Sequence, residues 1–371
     1  MQIRSNAELR RDWQVALEQA QGLKLSTVVA KLAALRDFEA FTEGRSFLKL
    51  RRADVISFKE HLLTTPSAVT GERLASSTIV HTLDHCRGFF RWLANRKEGR
   101  HLDRETVECL TASRADKERA RAVPPKPVPG KEEVEAAFAA MPAETLHQRR
   151  DRAVFAMLLL AIVRANALAS LTLGSVNLED NSVWQDSRIV RTKNSKSFIA
   201  FLFPFFPEAR VVLEAWVIEL RALGLSSSDA LFPRDTELER IETGEHPGPG
   251  EYPVWQGSSQ VRAIIRNAFK AAGLPAHSPH VFRHLLTRIG LSQARSISEA
   301  VAISINLGHS RLETTLMPYG RPDDETRGRL IAGLGKHADL PANFDMDALI
   351  KRMFEENPQA AAEILSALAR R

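Results

Sequence analysis

The chain has 371 residues, 44% hydrophobic and 26% charged, which is the balance of a folded, water-soluble protein long enough for two cores. Its opening residues lack the apolar centre of a secretion signal, and its longest apolar run, 153–163, is too short to cross a bilayer; two cysteines, Cys86 and Cys109, are too few for a disulfide framework and fit a reducing, cytoplasmic setting. The net charge of +6 resides wholly in residues 1–122, with 22 Lys and Arg against 16 Asp and Glu, which fits a polyanionic partner such as nucleic acid.

In chain order, Val28, Leu32, Leu35 and Phe41 share one helical face, as do Ile79, Leu83, Cys86, Phe90 and Leu93. Residues 1–121 therefore read as a small helical bundle. His81, His85 and Cys86 have helical ligand spacing, but no second ligand pair follows, so a surface-facing role is preferred to a metal site. Four prolines within AVPPKPVPG deny helix and ladder hydrogen bonds, making 122–130 a stiff linker.

Beyond the linker the pattern predicts helices over 132–141 and 151–162. A β-meander follows, because SVWQDSRIV (182–190) and SFIAFLF (197–203) are rich in β-branched and aromatic residues and flank the turn TKNSK. Helices are predicted again over 208–223, 259–272, 279–291 and 297–307, and residues 234–257, full of Pro, Gly and Glu, read as a surface loop. The fold class expected is mainly α with a small antiparallel sheet (α+β), in which 131–335 form a second domain and 336–371 a helical tail.

The chemistry begins at AHSPHVFRHLLTRIG. Ser278 is placed to cap a helix opened by Pro279, so that His280 and Arg283, three apart, share the face of its first turn. A helix N-terminus offers unpaired N–H groups to an anion, and an arginine fork with an imidazole beside it makes a plausible phosphate site. An ordinary helix start with a solvated arginine is the simpler reading of that stretch alone.

Further elements accompany it in order: Arg164 closing the apolar helix, Lys193 in the hairpin turn, His280-x-x-Arg283, Leu307-Gly308-His309, and Tyr319 in TTLMPYG. This series resembles the tyrosine recombinases, the phage-integrase-like enzymes that cut and rejoin DNA. The resemblance covers nearly the whole chain: about 20–115 look like the core-binding domain, with SSTIVHTLDHCRGFFRWLANR similar to its last helix, and about 130–330 like the catalytic domain.

What the resemblance implies is specific. Tyr319 would attack a DNA phosphate and form a 3′-phosphotyrosyl link with a free 5′-hydroxyl. Arg164 and Arg283 would clamp the phosphate with their planar forks, and His280 and His309 would add hydrogen bonds and proton transfer. Lys193 matches the hairpin lysine that serves as general acid to the leaving 5′-oxygen, carried into the minor groove by the turn, with Lys196 as its competitor. Neither metal nor nucleotide cofactor is implied, because the covalent link conserves the phosphodiester energy. His284 would be scaffold, and Tyr252 is a distant alternative nucleophile.

The chain departs from the family pattern in two places. An acid usually stands three residues after the first arginine, where this chain has Ala167, and Tyr319 lies ten residues after His309 where nine is common. The implied partner is double-stranded DNA with inverted half-sites, bound by a homo-tetramer, with no membrane involved. In such an assembly a tail like 345–370, apolar at Leu349, Ile350, Met353, Phe354, Ile364 and Leu365, often docks on a neighbouring protomer; packing on its own domain is the alternative. A site-specific recombinase from a mobile element is the leading expectation. A type IB topoisomerase-like relaxing enzyme and a DNA-binding protein with impaired catalysis are the others.

Overall fold

The structure is a computed structural model, and it describes residues 4–67, 71–121, 127–245, 248, 250–294 and 297–308. The chain divides into two units, at 126/127. Among the described residues no helix is long and apolar enough to cross a membrane.

The first unit is helical throughout. It comprises α1 (Asn6–Val15), a π-helical turn (Ala16–Ala20), α2 (Leu25–Phe41), α3 (Arg52–Thr64), α4 (Ser76–Ala94), α5 (Arg104–Glu108) and α6 (Arg114–Arg121). A capping box at Ser5 and Glu8 satisfies the first amides of α1. Every member of the predicted α4 stripe is buried, while Leu32 and Phe41 of α2 are only partly so. Aromatic rings fill the centre in edge-to-face pairs, Phe38–Phe58 at 4.9 Å and Phe38–Phe90 at 5.3 Å, the arrangement that ring quadrupoles favour. Cys86 faces this interior. It donates to the Ala34 carbonyl at 3.4 Å, and burial pushes its thiol well above the usual range, so it holds its proton and makes no metal ligand. His81 and His85 stack at 6.3 Å on the outer side of the same helix, half or fully accessible.

The second unit is mainly α with a small antiparallel sheet, the class expected. Its helices are α7 (Lys131–Ala139), α8 (Leu146–Leu160), α9 (Ala165–Leu168), α10 (Pro207–Ala222), α11 (Asp235–Glu242), α12 (Ser259–Ala271), α13 (His280–Gln293) and α14 (Ile297–Asn306), with strands β1 (Val176–Asn177), β2 (Ser182–Gln185) and β3 (Phe198–Phe201). The strands lie in the order β1-β2-β3, with Val183 opposite Ala200 on the buried face and Trp184 opposite Ile199 on the exposed one. From Ala153 to Leu160 every side chain of α8 is buried, the mark of a helix enclosed on all sides.

Five differences from the sequence reading have local causes. Helix α8 starts at 146, five residues before the predicted 151, because Thr145 and Gln148 form a capping box there. It also stops at Leu160 rather than 162: Ala161 is extended, and the Leu160 carbonyl accepts the Phe203 amide at 2.7 Å. Strand β2 ends at Gln185 instead of running to 190, since the Asp186 carboxylate accepts the Arg188 amide at 2.9 Å and its carbonyl accepts Val190, closing a turn that competes with the ladder. The supposed loop 234–257 contains α11, whose Leu238 and Ile241 are buried, and ends on a buried Trp255. Ser278 contributes its carbonyl, accepting from Val281 at 3.1 Å, rather than a capping hydroxyl, and Pro279 occupies the N-cap of α13.

Candidate active site

The hub of the second unit is Arg283, one turn into α13 and only 4% exposed. One guanidinium nitrogen donates to the Ile162 carbonyl and the other to the Leu307 carbonyl at 2.9 Å. Both acceptors exist because the chain is not helical there: the extended run after Leu160 frees the Ile162 carbonyl, and α14 ends before Leu307. Thr287 in turn donates to the Arg283 carbonyl at 2.6 Å. A single side chain thus joins the segment leading to Arg164, helix α13, and the segment leading to Gly308.

Arg164 stands two residues beyond the Ile162 carbonyl, so its backbone lies within roughly 7 Å of that bond. It caps α9 through its backbone, without a side-chain cap bond. Its guanidinium is half-buried and has no hydrogen-bond or ion-pair partner among the described residues, and burial alone lowers its affinity for a proton while leaving it charged. The contrast with Arg150 is informative. That arginine is fully buried, but Asp151 at 2.7 Å and Asp235 at 2.6 Å neutralise it and Trp255 lies under it, so it is a structural cation. Ala167, at the position where an acid could have paired with Arg164, is buried and apolar.

His280 is the first residue of α13 and is exposed, its ring edge-on to that of His284 at 4.7 Å. His284 is half-buried, and burial together with the Arg283 charge holds it neutral near pH 7. This suits a scaffold role. Gly308 continues the other arm of the hub. It adopts a φ of 66°, and a Cβ there would lie 2.9 Å from the Phe198 ring at the start of β3; only glycine meets both conditions. Asn306 reinforces the same junction, its amide accepting from the Phe201 N–H and donating to the Phe201 carbonyl at 3.0 Å.

Lys193 lies in the loop joining β2 and β3, exposed, with Asn194 and Ser195 following it in the left-handed region at φ 59° and 50°. Lys196 is exposed on the far arm of the same loop. The near arm is tied down: the Arg191 amide donates to Ser170 Oγ at 2.9 Å, and Ser170 donates to the Ala167 carbonyl of α9 at 2.9 Å. Lys193 is therefore two residues from a bond to the helix that Arg164 caps. Arg191 and Asn306 were not singled out in the sequence, and the only local signal for the first is its place beside Thr192-Lys193. Tyr252 is 3% exposed, its amide held by Asp229 and its phenol pushed above its ordinary range by burial, which removes it as a nucleophile. His309 and Tyr319 lie outside the described residues, one and eleven positions past Gly308.

Residues 130–326 match the model of the phage integrase family. Among curated proteins, the chain is 29% identical over 265 residues to the tyrosine recombinase XerC of Ralstonia pickettii (strain 12J), covering 69% of this chain and 72% of that one. Among solved structures, it is similar to a lambda integrase (75–356) dimer bound to a COC′ core site, at 12% identity and a TM-score of 0.57 over 86% of this chain and 97% of that one. The Tn1549 transposon integrase in complex with transposon right end DNA gives 14% identity and a TM-score of 0.55 over 89% and 99%. XerH bound to difH gives 17% and 0.54 over 89% and 85%. These low-identity structures share the fold, and the family match spans more than half of the sequence, including the whole hub around Arg283. The chain belongs to the phage integrase family of tyrosine recombinases, the DNA strand-exchange enzymes.

Proposed function

We propose that the protein is a site-specific recombinase or integrase that breaks and rejoins DNA strands through a 3′-phosphotyrosyl intermediate on Tyr319. The observation that carries this reading is the half-buried Arg164 guanidinium, without a partner among the described residues, beside the Arg283 hub. A desolvated cation with no counter-charge is organised for an anion that arrives from outside, and a DNA phosphate supplies one. In the step itself, the Tyr319 oxygen bonds to phosphorus as the bond from phosphorus to the 5′-oxygen breaks. The phenol proton passes to a histidine, His280 or His309, and Lys193 gives a proton to the leaving oxygen. Attack by the 5′-hydroxyl of a partner strand reverses these transfers and restores the tyrosine. Arg164 and Arg283 hold the non-bridging oxygens throughout.

The basic residues 1–121 would grip DNA on inverted half-sites, and four copies would form the synapse of a mobile-element enzyme in the cytoplasm. The test is covalent capture: protein is incubated with DNA flanking its own gene, denatured and digested, and the attached DNA is sequenced. Adducts at one reproducible position in the wild type and none with Tyr319→Phe are expected. Adducts persisting in Tyr319→Phe would remove that nucleophile.

The tail enters at the level of assembly. Deleting residues after 340 is expected to leave DNA binding intact while lowering recombination between two sites, measured as product yield from a two-site plasmid. An unchanged yield would exclude docking of the tail in the synapse.

A further inference from the structure

Arg191 lies outside both the buried apolar core and the Arg283 hub, yet it is built in with care. Its amide donates to Ser170 Oγ at 2.9 Å, and one guanidinium nitrogen donates both to the Ala169 carbonyl at 3.2 Å and to the Trp255 carbonyl. Its Nε is buried without a partner among the described residues. Flanking side chains Val190 and Thr192 are buried, whereas 193–197 are all exposed. The loop thus has a fixed base ending at 192 and a free arc beginning at Lys193, and the base is fixed to the helix that Arg164 caps. Holding a desolvated arginine on carbonyls alone is unfavourable for stability, since among the described residues no carboxylate offsets its burial.

We infer that Arg191 is a positioning residue for Lys193: it locks the pivot of the β2–β3 loop against α9 and Trp255, so that the lysine reaches the leaving 5′-oxygen from a defined origin. The inference rests on the reading of Lys193 as general acid. Loss of the clamp lets the pivot wander, and proton delivery fails while nucleophilic attack remains possible.

Replacing the bridging 5′-oxygen of the scissile phosphate by sulfur tests this directly. A 5′-thiolate, with a conjugate-acid pKa of about 8.5, leaves without protonation, unlike an alkoxide whose conjugate acid is roughly as weak as water. Cleavage of the oxygen substrate by full-length Arg191→Ala is expected to fall by about 10²- to 10⁴-fold, the usual contribution of a general acid. The sulfur substrate should be cut by Arg191→Ala, Lys193→Ala and the double variant at near wild-type rates, and the double variant should lose no more than either single one on oxygen. Arg191→Lys, which keeps charge but lacks a fork, should show the same rescue. If sulfur rescues Lys193→Ala but not Arg191→Ala, the positioning role is overturned and Arg191 acts on the phosphate or the fold. If sulfur rescues Arg191→Ala but not Lys193→Ala, the Lys193 reading falls and Arg191 must orient another acid, Lys196 first.

Discussion

Arg283→Ala is expected to remove strand cleavage, by about 10³-fold or more, and at the same time to destabilise the second unit by about 3–5 kcal/mol. The double effect follows from what the side chain touches. Its two donors satisfy the Ile162 and Leu307 carbonyls, both in residues that are nearly inaccessible to water. Without them two buried acceptors are left unmade, and a cavity opens where a large side chain had filled the helix interface. Lysine keeps the charge but ends in one point, so it cannot span both carbonyls, and Arg283→Lys should recover little stability. Denaturant midpoints measure the loss of stability. Cleavage at a temperature where the variant stays folded isolates the loss of catalysis. A variant with wild-type stability would show that the two carbonyls find other donors and that Arg283 is free to act on phosphate alone.

Much of this architecture is legible in the sequence, and the limits have physical reasons. Helices such as α4, α10 and α12 follow from apolar periodicity, which is a local signal that burial then rewards. Helix α11 is hidden because only Leu238 and Ile241 mark its buried face amid charged neighbours. The early end of β2 is decided by one carboxylate, Asp186, whose turn outweighs the β propensity of the residues after it. At the site the residue types are legible, since Arg164, Lys193, His280, Arg283, His309 and Tyr319 stand in the chain order that the family resemblance leads one to expect. Their mutual placement is not. It runs through main-chain carbonyls of Ile162, Leu307, Ala169 and Trp255, and every residue has such a carbonyl, so no letter of the sequence marks the ones that are used.

Arg164→Ala should separate catalysis from stability in the way that Arg283→Ala cannot. Cleavage is expected to fall by about 10³-fold, the scale of losing an arginine that stabilises charge on a transferring phosphoryl group. The unfolding midpoint should stay unchanged or rise. This guanidinium is half-buried and unpaired among the described residues, so its desolvation is a cost that no described residue offsets. Its backbone caps α9 in an ordinary extended conformation, and no side-chain bond is lost on truncation. The alanine at position 167 sharpens the expectation, because a carboxylate there would have neutralised Arg164 and made its removal destabilising. DNA binding should survive, since it draws on many phosphate contacts. Arg164→Lys, with charge but no fork, should fall between the two in rate. A marked drop in stability with cleavage per folded molecule preserved would mean that Arg164 is a structural residue and that the phosphate is held elsewhere.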